Sequence, residues 1–194
     1  MKKKTLALLL IAVLLIGGAA GGTLAYLTDQ TGPVVNTFTV GNVDITLKET
    51  TTDFKMVPGT EIAKDPIVTV LKGSVACYLF VRVEESANLK DFISYTIDSG
   101  WTQGEGTGEG KNGIPTNVYY REVAETTVDT PFSVLTNDKV LVKDTVTKAM
   151  MDALKKDGAT QPTLTFTAYA CQKDAVKDVA TAWAIVSAET TPAT

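Results

Sequence analysis

From Asn36 onward, apolar and polar residues alternate with a period of two. Phe38 and Val40, then Val43, Ile45 and Leu47, are interleaved with Thr39, Asp44 and Thr46, and Gly41-Asn42 reads as a bulge or turn between the two halves. Val57-Pro58-Gly59-Thr60 is turn sequence. Ile67 to Leu71 and Val75 to Glu84 flank Lys72-Gly73, a pattern that predicts a hairpin. Pro66 has no N–H to give to a ladder, so its strand starts there or lies at an edge. Further strands are predicted over Phe92 to Ile97, Asn117 to Val123, Phe132 to Leu135 and Leu164 to Cys171. Many short strands between Gly, Pro, Asn and Asp turns predict an all-β-dominated fold: a jelly-roll-like antiparallel β-sandwich over residues 38–194.

One helix is predicted to interrupt the strands. Asp144 or Thr145 can cap it, Val146, Ala149, Met150, Ala153 and Leu154 fall at helical spacing, and Gly158 supplies a left-handed stop. Its apolar stripe is expected to lie on the sandwich, with Met150 and Met151 as core filler. Ala175 to Val186 reads either as a short helix or as a final strand, with Trp183 buried in both cases.

The N-terminus has a different pattern. Three lysines in Met1 to Lys4 precede an unbroken apolar run from Leu6 to Ile16 and a small-residue stretch from Gly17 to Thr23. That order is a secretory signal-peptide helix over residues 1–25. Thr23 and Ala25 suit the −3 and −1 positions, so cleavage between Ala25 and Tyr26 is expected; cleavage after Ala19 or Ala20 is an alternative. An uncleaved anchor is the other reading, because apolar and small residues continue to Leu27. Only through this uncleaved leader is the chain expected to touch a membrane.

Charge and composition narrow the function. The chain has 18 basic and 22 acidic side chains; removing the leader takes three lysines and no acids, leaving a formal charge of −7. An acidic chain without a basic cluster is repelled by phosphate backbones, so no nucleic-acid partner is expected. The chain has no histidine. That excludes imidazole acid–base chemistry, Ser-His-Asp hydrolysis and most zinc catalysis, and no catalytic residue, metal or cofactor is expected.

Several short motifs tempt and fail. Six of the fifteen glycines lie between Gly100 and Gly113, and Gly108 to Gly113 matches GxGxxG. No helix follows to receive a pyrophosphate, and Glu105 and Glu109 would repel one, so a surface loop is the reading. Asp98, Glu105 and Glu109 lack regular calcium-ligand spacing. Cys77 and Cys171 both fall in predicted strands, and an exported chain permits a disulfide between them. Strand parity places Cys77 on a core face with Leu79, Val81 and Val83, and Cys171 on a more exposed one with Thr165, Thr167 and Tyr169. Two thiols are the alternative to the bond. Tyr119 and Tyr120 point to opposite faces, and an outward Tyr119 or Trp101 on a monomeric adhesin would suit sugar binding.

Gly22 to Asp29, a short polar spacer, and Asn36-Thr37-Phe38-Thr39-Val40-Gly41-Asn42-Val43-Asp44-Ile45-Thr46-Leu47 closely resemble the TasA/camelysin (CalY) family. The resemblance continues through Val57 to Thr60, Leu79 to Glu85, Leu164 to Ala170 and Ala182-Trp183. It implies a secreted protein of Gram-positive bacteria, exported through a SipW-type signal peptidase and resident in the extracellular matrix or at the cell surface. It further implies a jelly-roll subunit of biofilm-matrix fibres, a head-to-tail homopolymer in which one copy's N-terminal donor strand completes the next copy's sheet. Carried onto this chain, the donor is the segment 26–37, with Tyr26, Leu27, Thr28, Val34, Val35 and Thr37 as its residues. An accessory matrix or anchor protein is a further implied partner. The metallo-endopeptidase activity attached to part of the family is not expected here, because the chain has no HExxH motif and no histidine to build one.

Overall fold

The computed structural model describes residues 42–50 and 55–189. They form a mostly β structure of three antiparallel sheets. The first contains β1 (Ile45–Lys48), β3 (Ile67–Val70) and β8 (Thr130–Ser133), in the order β1-β3-β8. The second contains β4 (Cys77–Glu85), β6 (Thr102–Gln103), β7 (Val118–Val123) and β10 (Leu164–Gln172), in the order β10-β4-β7-β6. The third contains β2 (Glu61–Ala63), β5 (Ile93–Ser94) and β9 (Lys139–Val142), in the order β2-β9-β5. No helix among the described residues is long and apolar enough to cross a membrane.

The two three-stranded sheets are pieces of one longer ladder. Ala63 pairs with Lys139, and Ile67 pairs with Ser133. Between those two rows one strand advances from 63 to 67 and its partner from 133 to 139, so the partner carries two extra residues. A 3₁₀ turn at Thr136–Asp138 absorbs them, with Asn137 and Asp138 at φ 57° and 53°. Asn and Asp tolerate the left-handed region better than other side chains. Pro66 stands opposite this bulge: it lacks the N–H that an unbroken ladder needs, while its carbonyl accepts from Val134 N at 3.0 Å.

The main core lies between the sheets. Val68 and Val70 come from the first, Leu79, Val81, Val83, Val123 and Phe166 from the second, and Val140 from the third. The opposite face of the four-stranded sheet is also covered. Tyr78, Phe80, Val118 and Tyr169 pack there against the C-terminal helix α3 (Val179–Glu189) through Ala182, Trp183 and Val186. Those helix positions, with Val179, recur at helical spacing and form a single stripe. Trp183 sits 5.5 Å from both Phe80 and Tyr169, edge-on to the latter.

The predicted hairpin is corrected. Both strands exist, but β3 and β4 belong to different sheets. The turn at Lys72-Gly73 carries the chain from one sheet to the other and is fastened to the equally long crossing between β7 and β8. Gly73 N donates to Thr126 O at 2.7 Å, Thr126 N to Ser74 O at 2.9 Å, and the buried Thr126 hydroxyl to Leu71 O at 2.8 Å. Gly73 adopts φ +85°, open to glycine without strain.

The single inserted helix is also corrected, because three helices occur among the described residues. α1 (Leu89–Phe92) is one turn that buries Leu89 and Phe92, so the strand expected from Phe92 shortens to β5. α2 (Lys148–Leu154) is the expected helix, but its cap is Thr147, whose hydroxyl accepts from Met150 N at 3.2 Å, not Asp144 or Thr145. Val146 is buried ahead of it, and Met150, Met151 and Leu154 pack onto a small core with Phe92 and Val142. α3 settles the open reading of 175–186 as helix. Replacing Trp183 with Ala should cost about 3–5 kcal/mol in urea unfolding, the range for emptying a large aromatic site. Ile185→Ala, on the outward side of the same helix, should stay within about 0.5 kcal/mol.

Candidate assembly edge

The most distinctive surface is the far side of β10. This nine-residue strand pairs with β4 on one side, and among the described residues no strand pairs with the other. The hydrogen-bond parity tells which groups are left over. Ser86 N donates to Thr163 O and Lys173 N to Ala76 O, so residues of odd number in β10 are bonded to β4. Phe166, Ala168 and Ala170 therefore aim their N–H and C=O groups away from the sheet. The same logic applies to β1. Leu71 N donates to Asp44 O, which places the even-numbered residues of β1 on β3 and turns the main chain of Ile45 and Leu47 outward.

These two open edges lie side by side without pairing. Ile45, Leu47, Ala168 and Ala170 pack against the main core, which includes Phe166. Among the described residues neither edge gives its outward main-chain groups a strand partner. Unpaired edges of this length are what natural sheets ordinarily blunt with charge, proline or a covering element.

A cleft of about 450 Å³ adjoins the start of β10. Met56, Ile62, Leu89, Ile93, Val140 and Leu164 supply its apolar lining. At its base lies Lys64, 7% exposed, ion-paired with Glu49 at 2.8 Å and 5.4 Å from the Phe166 ring. Thr50 ties the same segment down through its N–H and hydroxyl on Asp65, which hold that carboxyl below its ordinary value. The cleft thus mixes apolar side chains with polar ones, Gln161, Thr163 and Thr165 beside the paired Lys64.

No family model, curated protein or solved structure matches this chain. What the described residues say about each expected site is therefore read from geometry alone. Ala25 and Tyr26 at the cleavage point, and the donor residues Tyr26, Leu27, Thr28, Val34, Val35 and Thr37, lie outside the described residues, as does the signal-peptide helix. Trp101 is not outward as the sugar-binding expectation required. It is 6% exposed, its indole N–H donates to Ser133 O at 2.8 Å, and the Arg121 guanidinium lies 5.4 Å from its ring. The glycine-rich loop is cross-tied. Asn112 Oδ1 accepts from Glu105 N and Ile114 N, and a Cβ on Gly104 would stand 2.3 Å from Pro115 O. The next α-helix after the loop begins only at Lys148.

Of the two alternatives for the cysteines, the structure takes the two-thiol one: Cys77 and Cys171 are not joined. Cys171 stands opposite Tyr78 and Cys77 opposite Gln172, adjacent rows whose side chains point to opposite faces of the sheet. The face of Cys171 proves half-buried, because α3 covers it. Sequence reasoning missed the open edges, since neither Ala168 nor Ile45 differs in type from a paired strand residue; only the sheet order reveals them.

The thiols give a direct check. Denatured but unreduced protein should titrate two thiols, and native protein at pH 8 should leave Cys77 unmodified. Burial, with Cys171 adding a little, pushes the Cys77 thiol from 9.0 up to about 11. The folded state therefore holds that proton longer than the unfolded one. Stability should be intact below about pH 9, fall as pH rises toward 11, and lose this slope in Cys77→Ala.

Proposed function

We propose that this chain is a non-enzymatic structural protein, exported and assembled head-to-tail into extracellular fibres of a biofilm matrix. The adjacent open edges of β1 and β10 carry the reading. The segment 26–37 of one copy, freed by a SipW-type signal peptidase, adds as a strand along the open edge of β10 in the next copy. Main-chain bonds supply the affinity, and alternate apolar side chains of the donor seat on the core. Because donor and acceptor are different surfaces, the contact is heterologous and grows an open filament instead of closing a dimer.

The fold reading follows the same line. The two short sheets, continuous through the bulge at 136–138, form one layer, and the four-stranded sheet forms the other; crossings at 71–76 and 124–129 link the layers. This layering supports reading the fold as a jelly-roll-like β-sandwich. The resemblance of Gly22–Asp29 and Asn36–Leu47 to TasA/camelysin proteins adds the secreted, matrix-resident location and an accessory anchor as a partner. The complete absence of histidine weighs against the endopeptidase activity associated with part of that family.

Negative-stain electron microscopy of residues 26–194 beside 37–194 tests the proposal. Filaments are expected from the first and none from the second. Ala168→Pro tests the acceptor separately: its N–H faces away from β4, so proline there removes a bond to the donor and none to the sheet. It should abolish filaments while leaving a folded monomer. Thr167→Pro, whose N–H serves the β4 ladder, should unfold the domain. Filaments from 37–194 would remove the donor role.

A further inference from the structure

A second cleft, of about 490 Å³, opens where the ends of β4, β6 and β7 meet Tyr95 and Lys90. Glu84, Glu85, Tyr95, Gln103, Asn117 and Tyr119 line it. None of these residues belongs to β1 or β10, so the cleft is separate from the assembly edge.

Its two amides are fixed in orientation. Gln103 donates through Nε2 to Thr116 O at 2.7 Å, and Asn117 through Nδ2 to Val83 O at 3.1 Å. A main-chain carbonyl only accepts, so each amide must present its nitrogen to it, which leaves each side-chain oxygen as an acceptor with no partner among the described residues. Glu85 is positioned by the Tyr95 hydroxyl at 2.5 Å and by Lys90 at 3.3 Å. Glu84 is half exposed, with Arg82 at 3.7 Å as its nearest cation. Glu84, one position along β4 from Glu85, points with Arg82 to the other face of the sheet, so the wall offers two amide oxygens and the Glu85 carboxylate as acceptors, against one ammonium that is 80% exposed.

A ligand for such a wall must bring donors. It must also bring a flat apolar surface for Tyr95 and Tyr119, which packing against the core holds in place. Phosphate- and carboxylate-bearing ligands fail the first requirement, and plain aliphatic amines the second. A pyranose ring meets both, since its hydroxyls donate while its C–H face lies against aromatic rings. We propose that this cleft binds an oligosaccharide through a sugar bearing a free amino group: hydroxyls donate to the Gln103 and Asn117 oxygens, and the ammonium sits beside Glu85. The acidic balance of the chain favours the approach of such a cationic glycan.

The test is calorimetric titration of the full chain, held in a zwitterionic detergent without a sugar headgroup, with a tetramer of glucosamine. Saturable one-site binding is expected. The N-acetylated tetramer, lacking the charge, should bind at least about tenfold more weakly, the scale of one lost charge-assisted hydrogen bond. Glu85→Gln should weaken binding about tenfold and Gln103→Ala several-fold, both exposed positions whose replacement leaves the core intact. Glu109→Gln, on the glycine-rich loop, should leave binding unchanged and so separates the cleft from general attraction of a polycation. Absence of binding, equal binding of the acetylated tetramer, or full affinity in Glu85→Gln combined with Gln103→Ala would each overturn the proposal.

Discussion

Strand β4 is bonded along both edges and buried on both faces, and the rest of the molecule is organised around it. β10 and β7 take up its main-chain groups over nearly its whole length. Its odd-numbered side chains from Cys77 to Val83 enter the core between the sheets, while Tyr78 and Phe80 enter the core beneath α3. A strand in this position tolerates no polar side chain without a partner. Arg82 shows the limit: on the face covered by α3, it lies 5.7 Å from the Tyr169 ring and reaches toward Glu84 at the strand end. Two independent cores thus share one strand, so loosening either face is felt on the other.

The outer layer is built with much less redundancy. Its ladder is broken by Pro66 on one strand and by the two-residue bulge at Asn137-Asp138 on the other, and its strands are two to four residues long. Side-chain ties stand in for continuous pairing. Lys64 with Glu49, and Thr50 with Asp65, hold the end of β1 to the start of β3. The buried Thr126 clamps the two crossings that join the layers. This unequal construction leaves the edges of β1 and β10 side by side and unpaired, one in each layer. A monomer left in that condition exposes backbone groups to water at little cost but presents a template for another chain.

Much of the strand content was legible from alternation. The segments at 67–70, 77–85, 118–123 and 164–172 lie where period two places them, because each has at least one apolar face to bury. The pairing was not legible. Lys72-Gly73 between two apolar runs has hairpin sequence, yet both runs are needed in different sheets, and Thr126, fifty residues away, decides it. Short elements such as Thr102–Gln103 and Leu89–Phe92 escaped because two to four residues carry no period. Trp101 looked available as an isolated aromatic in a glycine-rich stretch; the Ser133 carbonyl and the Arg121 guanidinium, both from distant strands, take it inside.

Local chemistry in the sequence determined the character of this protein: a strand-rich acidic chain, with no imidazole for acid–base work, that opens on three lysines and an unbroken apolar run. These follow from residue types and their period, which act over a few positions. Tertiary structure alone decided which edges remain open, that the two cysteines face opposite ways, and that Glu85, Tyr95, Gln103 and Asn117 share one cleft. Those outcomes depend on sheet order and on which face a helix covers. Both are set by long-range burial, in which strands distant along the chain compete for the same apolar surface, and no local pattern records the winner.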